Sequence, residues 1–139
     1  MPEAALEIGG AAGGPVFLQH LEFRLTGPAP WTGATEPVVA GWVKFREPLG
    51  AIDAPALVAL LDAHLPASFS VATGFRPMAT VSFTAEILCD PGTLDPREPL
   101  FYQSRTVCED AGFQLEFREL YDARGDLVAA NQQTFAVLK

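Results

Sequence analysis

The chain is poor in the residues that metal centres, disulfide scaffolds and polyanion binding require. Its two cysteines, Cys89 and Cys108, are too few for a disulfide framework and stand at no metal-binding spacing, so both read as ordinary thiols. The two histidines, His20 and His64, have no second ligand at a metal-binding spacing, and no metal site is expected. Nine Lys and Arg against seventeen Asp and Glu leave a net charge of −8, which opposes a phosphate backbone as principal partner and excludes nucleic acid from the expected ligands. No stretch approaches the roughly 20 apolar residues of a membrane span. Residues 1–14 lack the basic start and continuous apolar core of a signal peptide, so the expected location is the cytoplasm. There is no G-x-S-x-G, no Walker A loop, and no G-x-G-x-x-G with its following acidic residue.

What is present is apolar: 49% of 139 residues, ten of them Phe, enough for one globular domain with a sizeable core. The glycine-rich run Gly9–Gly14 cannot hold an element, so 1–14 reads as a flexible tail and 15–139 as the domain. Val16–Leu25 and Val38–Phe45 read as strands separated by a proline-rich loop. From Asp53, apolar residues at 57, 58, 60, 61 and 65 form the stripe of an amphipathic helix. Asp53 caps it, Pro55 suits its first turn, and Pro66 disfavours helical geometry at Leu65 and ends it. Four strand-like segments follow. Ala79–Leu88 alternates, with Ala79, Val81, Phe83, Ala85 and Ile87 on one face and Thr80, Ser82, Thr84 and Glu86 on the other. After a proline-rich connection come Leu100–Cys108, then Phe113–Ala123, where Phe113, Leu115, Phe117 and Tyr121 share a face, then Leu127–Leu138. One helix against a series of short-linked antiparallel strands implies an α+β domain whose sheet meanders and curls around the helix.

Three polar residues sit where local physics would place something else. Asp62 lies near the helix's end, facing the negative pole of the macrodipole where Lys or Arg would be favoured, and roughly 100° from the centre of the apolar stripe. Thr80 lies on the polar face of its strand, where threonine is also an ordinary strand residue. Gln133 interrupts an apolar strand within Asn131–Thr134. Asn131 and Gln133 share one face there, Gln132 and Thr134 the other, and one pair points toward the covered side. A solvated helix flank and a structural hydrogen-bond network are the competing explanations.

The segments carrying these residues, LVALLDAHLP, MATVSFTAEI and RGDLVAANQQ, resemble in that order the C-terminal half of the type II acyl-CoA thioesterases, a double hotdog family. The resemblance covers about residues 16–138. It implies a single hotdog domain, a long central helix wrapped by a curved antiparallel sheet. It also implies hydrolysis of an acyl-CoA or related acyl thioester by a water held by Asp62, Thr80 and Gln133, with Asp62 as proton acceptor. No cofactor is implied, since CoA enters as part of the substrate, and a homodimer or higher homo-oligomer would replace the missing half. A non-catalytic hotdog module binding an acyl ligand or a protein partner is the alternative. A hotdog hydratase would need His64 paired with an acid, yet residues two apart on a helix face different directions.

Overall fold

The computed structural model describes residues 6–8 and 16–138. Seven strands form one antiparallel sheet: β1 (Leu6–Ile8), β2 (Leu21–Leu25), β3 (Val38–Phe45), β4 (Met78–Ile87), β5 (Leu100–Asp110), β6 (Phe113–Tyr121) and β7 (Leu127–Val137). Among the described residues the only α-helix, α1 (Ala54–Asp62), lies between β3 and β4 in the chain.

The helix begins as its sequence dictates. Asp53 accepts a hydrogen bond from the Ala56 N–H at 2.9 Å, and Pro55 occupies the first turn, where its missing N–H costs nothing. Ala56, Leu57, Leu60 and Leu61 are buried against the sheet, each leucine contributing about 1.5–3 kcal/mol by leaving water. The helix ends at Asp62, three residues short of the expected Leu65. Pro66 excludes helical geometry at Leu65, and the Leu61 carbonyl, which has no partner further along the helix, is taken by Arg118 of β6 at 3.1 Å.

Across the sheet the order is β1-β2-β3-β5-β6-β7-β4. Strands β5, β6 and β7 meander as expected, but β4 does not join β5. It pairs with β7 at the far edge. Alternating antiparallel neighbours make β3 and β4 run in the same direction. Strands so related need a crossover, which α1 supplies by carrying the chain beneath β5, β6 and β7. This crossover places the end of α1 beside β6 and β7.

Two further expectations change. The expected strand from Val16 begins only at Leu21, with Val16–His20 forming 3₁₀ turns. Leu21 is already opposite Phe45, the last residue of β3, and beyond it the pairing ends with the bond from the Arg46 N–H to the His20 carbonyl at 2.9 Å. Within the segment read as a tail, Leu6–Ile8 pairs with Phe23–Leu25. Three residues suffice where β2 presents an open edge. The rest of the expected tail lies outside the described residues.

Candidate active site at the helix end

The inner face of β7 turns Ala129, Asn131, Gln133 and Phe135 toward α1, all buried. Opposite them on β4 lie Ile87, Ala85, Phe83 and, after an interruption, Thr80. The interruption is a β-bulge: Ser82 pairs with Thr134 and Thr80 with Phe135, so Val81 is the extra residue. Strict alternation puts Thr80 outside with Ser82 and Thr84. The bulge reverses the phase and places it on the inner face beside Gln133. Val81 is left 59% exposed.

Asp62, Thr80 and Gln133 meet at this margin. Gln133 is 1% exposed, and its Nε2 donates to Thr80 Oγ1 at 2.9 Å and to Asp62 Oδ1 at 3.3 Å. The amide orientation follows from the acceptor, since only an N–H can satisfy a carboxylate. Gln133 Oε1 is buried and has no hydrogen-bond partner among the described residues. Asp62 keeps 56% of its side chain exposed. The trio therefore has a buried floor in Gln133 and an open rim in Asp62 and Thr80. Asn131 is buried too, its Nδ2 donating to the Thr84 carbonyl at 2.9 Å, which ties β7 to β4 without reaching Asp62.

Strand β6 brings two residues that sequence reasoning missed. Its apolar face, Phe113, Leu115 and Phe117, is the outer one, with Phe113 and Phe117 exposed, while Gln114, Glu116 and Arg118 are buried on the helix side. Arg118 Nη1 donates to Asp62 Oδ1 at 3.3 Å and its Nε to Glu116 Oε1 at 2.8 Å. Burial opposes the guanidinium charge, but Tyr102, Glu116 and Asp62 more than offset it, and its pKa lies above the ordinary arginine value. The absent basic residue in the last turn of α1 was the available signal. The cation comes from a strand instead.

His64 takes no part in this cluster. Its ring stacks on Tyr102 with centroids 3.6 Å apart and meets Phe23 edge-on at 4.9 Å. Burial, aided by the Arg118 charge, lowers its pKa to about 3, so it is a neutral core residue at physiological pH. His20 lies in the 3₁₀ turns before β2. Among the described residues no group of His, Cys, Asp and Glu is arranged to hold a metal ion. None of their helices is long and apolar enough to cross a membrane.

The family model of the acyl-CoA thioesterase C-terminal domain matches residues 2–137. No curated protein matches the chain in sequence. Among solved structures, a hotdog-fold protein of unknown function from Alicyclobacillus acidocaldarius is similar, with a TM-score of 0.85 and 24% identity over 100% of this chain and 53% of its own. A putative thioesterase II from Thermobifida fusca superposes with a TM-score of 0.74 at 24% identity, covering 97% of this chain and 51% of that one. For an acyl-CoA thioesterase II from Mycobacterium marinum the values are 0.66 and 19%, over 96% and 56%. The chain spans about half the length of each of these three. At such identities the likeness shows the fold, a hotdog, and the family rests on the match over nearly the whole sequence: the chain belongs to the acyl-CoA thioesterase C-terminal domain family.

Proposed function

We propose that this protein hydrolyses an acyl-CoA or related acyl thioester, with Asp62 as general base and Thr80 and Gln133 holding the attacking water. The observation that carries this reading is the convergence of the three side chains from α1, β4 and β7, with Gln133 Nε2 within 3.3 Å of both partners. Family membership supports the thioester as substrate class.

In this reaction Asp62 accepts a proton from water as the oxygen bonds to the thioester carbonyl carbon. The tetrahedral intermediate then collapses, the carbon–sulfur bond breaks, and the departing sulfur takes a proton back from Asp62. The products are a carboxylic acid and a free thiol, and no covalent enzyme intermediate forms. Thr80 Oγ1, on an exposed stretch of β4, supplies a polar contact that a water at this margin can use, and Gln133 orients it by donating to it at 2.9 Å. The half-exposed Asp62 gives the carbonyl an approach from outside.

The site lies at the sheet's β4 edge. A second hotdog, supplied by another copy of the chain, would close it and provide the wall along which a long, thin pantetheine arm runs. Relatives about twice as long support that arrangement.

The test is Asp62→Asn, which keeps the shape and removes the proton acceptor. Thiol release from acyl-CoA substrates of graded chain length should fall by about 10²- to 10⁴-fold while thermal unfolding stays nearly unchanged. An Asn variant as fast as wild type would reduce Asp62 to a helix-flank residue.

A further inference from the structure

The carboxylate of Asp62 is held from below by a buried ion pair. Arg118 is 1% exposed, and its Nη1 reaches both the Leu61 carbonyl oxygen at 3.1 Å and Asp62 Oδ1 at 3.3 Å. Its Nε is fixed by Glu116 Oε1, and Glu116 is itself braced through Oε2, which accepts from the Ala67 N–H at 2.6 Å and from Thr106 Oγ1 at 3.3 Å. The Phe135 ring lies 5.5 Å from the guanidinium carbon.

Stability is a poor reason for this pair. Desolvating two charges costs several kcal/mol per ion, and an apolar pair of similar volume is often as stable or more so. What a guanidinium offers is a rigid planar fork: with Nε pinned, the direction of Nη1 follows. We propose that Arg118 and Glu116 are positioning residues for Asp62, an inference that rests on the thioesterase reading above. Glu116 sets the plane of Arg118. Arg118 then sets the helix end and the carboxylate together, holding Oδ1 on Gln133 and leaving Oδ2 to take the proton from water. Without Arg118, the half-exposed side chain of Asp62 is free to rotate into solvent. Lysine cannot replace it, because one ammonium cannot reach Glu116 in the fork geometry and bridge Leu61 and Asp62 as well.

The experiment compares the full chain with Arg118→Lys, Arg118→Met, Glu116→Gln, Asp62→Asn and the Asp62→Asn/Arg118→Met double variant, using acyl-CoA hydrolysis and crystal structures. Both Arg118 variants should lower kcat by about 10- to 10²-fold, as a misplaced reacting group does. KM should move by less than about threefold, because ground-state binding is untouched. Glu116→Gln should fall between these variants and wild type. On the Asp62→Asn background, Arg118→Met should cause no further loss, and crystals of a folded Arg118 variant should show Asp62 out of hydrogen-bond reach of Gln133. Wild-type kcat in the Arg118 variants, an equal further loss on the Asp62→Asn background, or Asp62 still seated on Gln133 in the crystal would each overturn the proposal. If the Arg118 variants do not fold, Glu116→Gln decides: unchanged kcat overturns it and lowered kcat at constant KM upholds it. If wild type hydrolyses no acyl thioester, the thioesterase reading fails by itself, and the crystal comparison still decides whether Arg118 places Asp62.

Discussion

At the scale of single residues, burial gives the two polar side chains that follow the helix stripe opposite roles. Asp62 stays half exposed and meets Gln133 and Arg118, whereas His64, two residues on, is enclosed by Tyr102 and Phe23 and kept neutral. Its Nε2 is buried with no hydrogen-bond partner among the described residues, so the protonated form has nothing to receive it. The folded pKa of about 3 lies below the ordinary histidine value of 6.5. Between those values the unfolded chain binds the extra proton. The stabilisation is therefore complete above about pH 6.5 and is lost progressively as pH falls toward about 3. At pH 5 the loss amounts to about 2 kcal/mol. Urea unfolding at pH 7 and pH 5 should show this fall in wild type and a smaller one in His64→Phe, which keeps a ring on Tyr102 without a titrating group. Equal falls in the two proteins would show that His64 is not the group responsible.

At the scale of elements, irregularities in two strands and one turn place the side chains. The bulge at Val81 turns Thr80 inward, and a second register shift in β5, between Thr106 and Cys108, occurs where Thr106 meets Glu116. The β5–β6 hairpin closes through Ala111 and Gly112, both at positive φ, 49° and 83°. Two such residues match the twist of the flanking strands, but a β-carbon at Ala111 costs about 1–2 kcal/mol in that conformation. Asparagine tolerates it better. Ala111→Asn should therefore stabilise the protein by about 0.5–1 kcal/mol, read as a higher denaturation midpoint with thioester hydrolysis unchanged. A lower midpoint would contradict the turn geometry.

For the whole molecule, the decisive feature is an open sheet with the Asp62, Thr80 and Gln133 cluster at one edge. Strand β4 pairs with β7 on one side, and on the other no described strand adjoins it; Val81, at the bulge of this strand, is 59% exposed. An edge of this length invites pairing with another chain. A two-fold arrangement of identical edges would close both copies at once. Light scattering at micromolar concentration should give the mass of a dimer or larger assembly. A mass near 14.9 kDa, that of one chain, would contradict this.

The sequence by itself determined most of what depends on near neighbours, though not the 3₁₀ turns at Val16–His20. The Asp53 cap, the leucine stripe and the hairpins of β5–β7 follow from interactions within a few residues, and local patterns carry that information, whereas the helix end at Asp62, short of the Pro66 stop, was not read from them. It also singled out Asp62 and Gln133, because a carboxylate at a helix's negative pole and an amide in an apolar strand each demand a distant partner. Which partner answers was a tertiary matter. The crossover of α1 set β4 beside β7 rather than β5, the bulge reversed the face of Thr80, and β6 turned its charged face inward, so that Arg118 rather than a basic residue of the helix meets Asp62. Alternation alone cannot report a phase reversal or choose which face of β6 is buried. Both are settled by the ladder register and by the polar groups that α1 leaves unsatisfied at its end.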